Sequence, residues 1–445
     1  MEVITRFAPS PTGLLHVGNI RTALIDWLFT RKHHGKFILR IDDTDLQRSS
    51  VEFENQLKED LKWLGLTWDY TFNQKDRVAK YDEITKQLIK TGRLYPCYET
   101  KEDLDLKRKI QLSQGKPPIY DRASLNLSHD QIKQYESEGR KPHYRFKLNN
   151  GTISWNDLIR EKVSFESNVM SDPILIREDG TWTYMLCSAI DDIDFNITHV
   201  IRGEDHITNT AINIQIFEAL EKTPPIFAHV SRVTSKTAEM SKRLGGFDIK
   251  SLREDGIEPI TIINFLATIG TSKPASKFKD IESIIENFDI ENLSKSPSVY
   301  DEKDLWDLNH RILAQLSFEE IKPRLNGMDI DENFWLNVRN NINKFSEFEA
   351  WYNMCKKPVK PVIMENDRNF LEEASKFLET YTALDENTWE AWITSLKSHT
   401  PRKGKDLFMP IRLALTGLEH GPELKFLLPL ITKEKSIKRL LGETI

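Results

Sequence analysis

The sequence predicts an α/β chain: a parallel sheet interrupted by an α+β insertion and followed by an all-α C-terminal region. Three observations predict it. The first forty residues read as strand, tight turn, helix and strand. That alternation breaks in a charged, proline-bearing stretch and resumes about ninety residues later. Beyond about residue 320 the strand signals fade and only helical periodicity remains.

Residues 3–8 are expected to form a buried strand. Pro9-Ser10-Pro11-Thr12-Gly13 must be a turn, because two prolines and a glycine break a hydrogen-bonded ladder. Ile20, Ala23, Leu24, Trp27 and Leu28 then fall at i, i+3, i+4, i+7 and i+8, the stripe of a helix packed on one face. Gly35 stops it, with Arg31, Lys32, His33 and His34 in the last turn. Residues 37–41 form a second buried strand. A βαβ unit of this kind implies a parallel, Rossmann-type sheet with a right-handed crossover. Phe53, Leu57, Leu61 and Leu64 continue on a helix that ends at Gly65.

From about Tyr95 the pattern is irregular, and residues 100–150 are charged and carry Pro117, Pro118 and Pro142, which marks an insertion. Strand signals return at residues 183–186 and 197–202. A helix holding Ile212, Ile216 and Leu220 follows, and then a strand over 227–233: the second half of the interrupted sheet. Phe370, Leu371, Ala374, Phe377 and Leu378 make an amphipathic helix in the tail. The expected divisions are 1–94 and 183–235 for the two halves of the sheet domain, 95–182 for the insertion, 236–320 for a segment with a basic loop, and 321–445 for the helical region.

Composition narrows the class. Of 445 residues 39% are hydrophobic and 29% charged, an ordinary globular balance. No apolar run approaches membrane-spanning length, and the N-terminus lacks the basic-then-apolar pattern of a secretory signal. Cys97, Cys187 and Cys355 are scattered with no metal-ligand spacing, which suits a reducing cytoplasm. Net charge is −6, which does not advertise nucleic-acid binding. Residues 402–445 hold nine Lys/Arg against five Asp/Glu, a local +4 that fits either an RNA-facing or a solvated surface.

Two motifs carry chemistry. Pro9-Ser10-Pro11-Thr12-Gly13-Leu14-Leu15-His16-Val17-Gly18-Asn19 sits at the first strand-to-helix junction, where open α/β sheets bind ligands. Gly13 and Gly18 let a nucleotide approach the backbone, the helix start offers unpaired N–H groups, and His16 can donate to phosphate oxygens. A helix-capping turn with a structural histidine is the other reading. Glu239-Met240-Ser241-Lys242-Arg243, before Leu244-Gly245-Gly246, is a cationic loop able to meet a triphosphate, or a solvated basic turn.

The two motifs together, in this order and about 220 residues apart, resemble the paired motifs of class I aminoacyl-tRNA synthetases, written H-I-G-H and K-M-S-K-S. Arg6-Phe7-Ala8-Pro9-Ser10-Pro11-Thr12-Gly13, Arg40-Ile41-Asp42-Asp43-Thr44-Asp45, Val200-Ile201-Arg202-Gly203-Glu204-Asp205-His206 and Leu407-Phe408-Met409-Pro410-Ile411-Arg412-Leu413-Ala414-Leu415-Thr416-Gly417 are similar to the glutamyl branch. The glutaminyl branch usually shows P-E-P-N-G at the first turn and a β-barrel C-terminal part.

The resemblance implies adenylation of glutamate by Mg²⁺-ATP, then transfer to the terminal adenosine of tRNA-Glu, with tRNA-Gln as a second candidate. It implies catalytic roles for His16, Lys242 and Arg243. ATP contacts are implied for Pro9, Ser10, Gly13, His16, Gly18, Asn19, Glu204, Asp205, Met240, Ser241 and Lys242. Glutamate contacts are implied for Arg6, Ala8, Ser10, Asp42, Tyr184, Ser188 and Arg202. The insertion would bind the acceptor stem, residues 236–320 would contact the stem and carry the catalytic loop, and the helical region would read the anticodon. A cytoplasmic monomer without membrane contact is expected. Three departures stand out. Asp42 replaces the family's usual glutamate at the substrate ammonium. Glu239 replaces the first lysine of the second motif. The C-x-C of zinc-holding members is absent, since Cys97 is followed by Tyr98 and Glu99, so no zinc is expected. A non-catalytic tRNA-binding paralogue and an enzyme dedicated to Glu-tRNA-Gln are the rival readings.

Overall fold

The computed structural model describes residues 2–45, 47–235, 248–271, 278, 280–385 and 387–445. They fall into two compact units, one of residues 1–253 and 262–301, the other of residues 254–261 and 302–445.

In the first unit, β1 (Ile4–Phe7) leads through the Pro-Gly turn into α1 (Val17–Lys32) and back to β2 (Lys36–Ile41). The strands are parallel, with Ile4 opposite Lys36 and Phe7 opposite Leu39. After α2 (Val51–Trp63), β3 (Tyr70–Asn73) extends the sheet in parallel from β2. α3 (Val78–Lys90) and β4 (Leu94–Cys97) begin the irregular region, which contains α4 (Lys101–Ser113), α5 (His129–Ser137) and β5 (His143–Phe146). A hairpin of β6 (Thr152–Asp157) and β7 (Glu161–Glu166) precedes β8 (Ile174–Ile176). β4, β5 and β8 make a separate antiparallel sheet. α6 (Tyr184–Asp194), β9 (His199–Gly203), α7 (Ile207–Ala219) and β10 (Ile226–Val230) return to parallel βα order.

β10 pairs in parallel with β6, so the hairpin joins the edge of this second half, in the order β7-β6-β10-β9. The two halves meet at β1 and β9, where Thr198 N–H donates to Ile4 O at 2.9 Å and Ile4 N–H to Thr198 Oγ1 at 2.8 Å.

Three local expectations are corrected. Residues 183–186 are not a strand: Thr183 precedes the first turn of α6, whose buried Leu186, Cys187, Ala189 and Ile190 follow helical spacing. A four-residue apolar run does not separate the two periods. α1 is buried on more than one face, because Arg21, Asp26 and Thr30 are as enclosed as its leucines. Arg21 is accommodated by donating to Ser231 O at 2.7 Å and Ile269 O at 3.1 Å. Gly35 is required for space rather than for a left-handed cap. His34 takes the positive φ of 52°, and a Cβ on residue 35 would stand 2.3 Å from Val3 O.

In the second unit the described residues of 302–445 hold helices and no strand. Their core gathers Trp335, Phe348, Trp351, Leu371, Trp392 and Ile411. The helix Arg368–Glu379 buries Phe370, Leu371, Ala374 and Leu378, the stripe read from sequence, with Phe377 partly buried beside it.

Candidate active site

The candidate site lies at the carboxyl ends of β1, β2 and β9 and the start of α1. His16 caps α1. Its Nδ1 accepts from Gly18 N–H at 3.1 Å and Asn19 N–H at 3.4 Å, while Asn19 Oδ1 faces His16 N–H at 3.5 Å. The capping reading of this histidine is seen directly in these contacts. With Nδ1 an acceptor the ring proton sits on Nε2, and partial burial lowers the pKa and favours that neutral form. Gly18 serves the ring, since a Cβ there would stand 3.1 Å from the imidazole. Gly13 faces open space, with no atom within 4 Å of a would-be Cβ. Pro9 O accepts Asp42 N–H at 3.0 Å, and exposed Ser10 accepts Thr12 N–H at its carbonyl at 2.9 Å. Ala8, half-buried, links the strand to this turn.

A buried ion network underlies the turn. Arg6 donates from Nε to Asp192 Oδ1 at 3.0 Å. Arg40 donates to both oxygens of Asp42, at 2.6 and 3.1 Å, to Asp192 Oδ1 at 2.9 Å and to Ser188 Oγ at 2.8 Å. Asp42 and Ser188 thus already have an arginine partner. Burial lifts Asp42 to about 6 even against Arg40. Asp191, in the same helix, accepts from Gln74 at 2.8 Å, Arg77 at 2.6 Å and Tyr81 at 2.9 Å.

Arg202 differs from its neighbours. It is buried, its hydrogen bonds run from Nη2 to Thr210 Oγ1 at 2.6 Å and His206 O at 3.5 Å, and its Nε is buried without a partner. Among the described residues no carboxylate pairs with it. Burial, and then Arg6, lowers its pKa to about 10, so it stays cationic at neutral pH. Tyr184 stands beside it, its hydroxyl 3.2 Å from His206 Nδ1 and also hydrogen-bonded by Asn209. A buried, unpaired guanidinium next to a second arginine calls for an anion, and a carboxylate matches its planar donors.

Glu204 is committed elsewhere: Arg160 donates to one oxygen, and Arg232 N–H to the other at 3.1 Å. Asp205 is exposed, with Oδ2 3.5 Å from His206 Nε2. Glu239, Met240, Ser241, Lys242 and Arg243 lie outside the described residues. Arg40, Asp192, Thr210 and His206 were not singled out in sequence. Arg40 and His206 fall inside quoted motifs, but Asp192 and Thr210 sit on apolar helices and carry no local signal.

A family model described as tRNA synthetases class I (E and Q), catalytic domain, matches residues 2–307, and one described as an anticodon binding domain matches residues 338–442. Glutamate–tRNA ligase 1 of Rickettsia prowazekii is 53% identical over 445 residues, covering 99% of each chain. Glutamate–tRNA ligase 2 of Rickettsia canadensis is 52% identical over 443 residues, again 99% of each. A solved glutamate tRNA ligase from Elizabethkingia meningosepticum, in complex with its amino acid, superposes with a TM-score of 0.79 at 27% identity, covering 99% of this chain and 98% of that one. The glutamate–tRNA synthetase of Elizabethkingia anophelis gives 0.77 at 27% identity, with 99% of both chains covered.

Proposed function

This chain belongs to the class I tRNA synthetases of the glutamate and glutamine branch, and from that premise we propose that it joins glutamate to the 3′-terminal adenosine of tRNA-Glu, with tRNA-Gln as a second acceptor. One observation carries the choice of amino acid. Among the described residues no carboxylate forms an ion pair with the buried cation of Arg202, and Arg6 lies close enough to lower its pKa. Glutamate brings two carboxylates; glutamine would leave that charge unmatched in a desolvated pocket.

The reaction has two steps. The α-carboxylate oxygen of glutamate attacks the α-phosphorus of ATP, which enters with Mg²⁺, and the bond to the β-phosphate oxygen breaks to release pyrophosphate. A ribose hydroxyl of the terminal adenosine then attacks the activated carbonyl, loses its proton, and AMP departs. The protein contributes positioning and charge. His16 is read as donating Nε2–H to the α-phosphate, with the start of α1 and the open space at Gly13 admitting the nucleotide. Pro9, Ser10, Gly18, Asn19 and Asp205 border that path, and Lys242, Arg243, Met240 and Ser241 are read as meeting the phosphates. Arg202, Arg6, Tyr184, Ala8 and Ser10 line the amino-acid side. Asp42 meets the ammonium while shared with Arg40, and Ser188 acts through Arg40. Glu204 is read as a fixed support for Arg160 and Arg232.

The division at 1–94, 95–182, 183–235, 236–320 and 321–445 is retained as the functional one: catalytic halves, acceptor-stem insertion, stem-contact segment and anticodon region. The insertion is read as zinc-free. Glu99 stands two residues beyond Cys97 and accepts Tyr120 O–H at 2.8 Å and Ser124 O–H at 2.7 Å. No cluster of three His, Cys, Asp or Glu side chains fit for a metal occurs among the described residues. A cytoplasmic monomer is the reading for compartment and assembly; the three buried free cysteines bear on the first alone, fitting a reducing compartment. Among the described residues no helix is long and apolar enough to cross a membrane.

The test is aminoacylation of purified tRNA-Glu and tRNA-Gln with glutamate and with glutamine, alongside ATP–pyrophosphate exchange with tRNA present. Glutamate-specific charging is expected. Failure of both exchange and charging would point instead to a non-catalytic tRNA-binding paralogue.

A further inference from the structure

Behind Arg202 runs a chain of buried hydrogen bonds that ends on a carboxylate. Asp157, at the end of β6, accepts at Oδ1 from the N–H groups of Ile159, Arg160 and His229, at 3.0, 2.9 and 3.1 Å. Its Oδ2 lies 2.5 Å from His229 Nδ1. Burial works against its charge, but these bonds, His229 first, hold its pKa below the usual value. An ionised Asp157 has only lone pairs to offer, so Nδ1 of His229 carries the proton and Nε2 is left as an acceptor. Burial lowers the pKa of His229, consistent with this neutral form. Thr210 Oγ1 lies 2.8 Å from Nε2 and 3.3 Å from His206 O, so the shorter contact takes its proton. The hydroxyl lone pairs then face Arg202 Nη2 at 2.6 Å. All four side chains are buried.

We propose that Asp157, His229 and Thr210 form a positioning relay that sets the specificity of the amino-acid pocket by fixing Arg202. The relay points the Thr210 lone pairs at the guanidinium and engages Nη2. Among the described residues Nε and Nη1 make no hydrogen bond, and these are the groups the proposal leaves to the ligand. It also meets a physical conflict. A carboxylate touching Arg202 would compete with the substrate, whereas no counter-charge at all would make the buried cation costly. Asp192 is the nearby carboxylate that favours the charge, while Asp157, two links away, orients the hydroxyl that accepts from the guanidinium without occupying its binding edge, so Arg202 still requires an anion and rejects an amide. Asp157 comes from the hairpin and His229 from β10, so the pairing of β6 with β10 is what completes the relay.

This inference rests on the reading that Arg202 binds the side-chain carboxylate of glutamate, and the experiment separates the two. KM and kcat for glutamate, and kcat/KM for glutamine, are measured by tRNA-dependent pyrophosphate exchange for Thr210→Val, Thr210→Ser and Arg202→Ala. Thr210→Val keeps the shape and loses the hydroxyl. It is expected to raise KM for glutamate at least tenfold, to change kcat by less than about threefold, and to narrow the glutamate-to-glutamine ratio. Thr210→Ser should stay within about threefold of wild type, which a purely packing role for the threonine would not produce. Should Thr210→Val fail to fold, Asp157→Asn is read by the same KM criterion. Its amide N–H would oppose Nδ1–H and drive the proton to Nε2, so that the Thr210 hydroxyl donates to His206 O instead and keeps one lone pair rather than two for Arg202. If Arg202→Ala raises KM but Thr210→Val does not, or Thr210→Ser is as impaired as Thr210→Val, the relay is wrong and the Arg202 reading survives. If Arg202→Ala leaves KM unchanged, both fall.

Discussion

Gly18 leaves room for His16: the imidazole that caps α1 lies 3.1 Å from where a Cβ would stand on residue 18. Nδ1 of the ring serves the backbone, Nε2–H is proposed to serve the nucleotide, and substitutions can separate the two. His16→Ala should slow adenylate formation ~10²–10³-fold through loss of a transition-state donor. It should also destabilise the protein by about 1 kcal/mol through loss of the cap. His16→Asn retains a capping side chain and removes Nε2–H, so it should be as slow as the alanine variant yet unfold like wild type. Single-turnover adenylation and urea unfolding measure the two effects. An asparagine variant with wild-type adenylation would leave His16 as a cap alone.

The first βαβ unit was legible because its period changes twice within forty residues, from strand to turn to helix. The misread segment at residues 183–186 had no such length to work with. The ion network was illegible for a different reason. Asp191 and Asp192 look like the polar face of α6, but their partners Arg6, Arg40 and Arg77 come from two strands and a turn more than a hundred residues earlier. Sequence periodicity reports which face is apolar, and two adjacent carboxylates in a helix report nothing about burial until the arginines are placed. Asp157 and His229 are 72 residues apart and meet only through the pairing of β6 with β10.

Asp26 gives the fold a pH dependence of predictable sign. It is fully buried in α1, and neither carboxylate oxygen makes a hydrogen bond of normal geometry. Burial lifts it to about 7, against about 4 in an unfolded chain. Between those values the folded protein holds a proton that the unfolded chain releases, so stability falls as pH rises through about 4 to 7. Asp26→Asn removes that term. The urea midpoint of wild type should drop more between pH 5 and pH 8 than that of the variant. Asp42 and Asp60, both raised to about 6, contribute with the same sign to both proteins, so the difference isolates Asp26. Equal shifts in the two would assign the pH dependence elsewhere.

Glu99 is expected to hold the insertion together without a metal. Burial opposes its charge, but the hydroxyls of Ser124 and Tyr120 keep its pKa below the usual carboxylate value. The Tyr120 hydroxyl is also 3.6 Å from the Cys97 sulfur. Elemental analysis should therefore find no stoichiometric zinc, and chelation should leave charging intact once Mg²⁺ is restored. Glu99→Ala strands two half-buried hydroxyls and should cost ~1–3 kcal/mol of stability. A bound equivalent of zinc would show that these oxygens serve as ligands after all.

Glu239 stands where the family has a lysine. A carboxylate held ~8 Å from a phosphate charge is opposed by roughly 2 kcal/mol at an effective dielectric near 20. Residues 236–243 also carry Lys236, Lys242 and Arg243, three cations against that one anion, so the segment keeps a net charge of +2 to offer the triphosphate. If those cations offset Glu239, restoring the lysine gains little. Glu239→Lys should change the adenylation rate by less than about tenfold, or 1.4 kcal/mol. Lys242→Ala removes the cation proposed to meet the phosphates and should cost on the order of 10² or more. Pre-steady-state ATP consumption, with tRNA and glutamate present, reads both. An acceleration of orders of magnitude by Glu239→Lys would mean that the native segment is impaired for adenylation, and the non-catalytic reading would gain. An unaffected Lys242→Ala would move the phosphate-binding role away from this segment altogether.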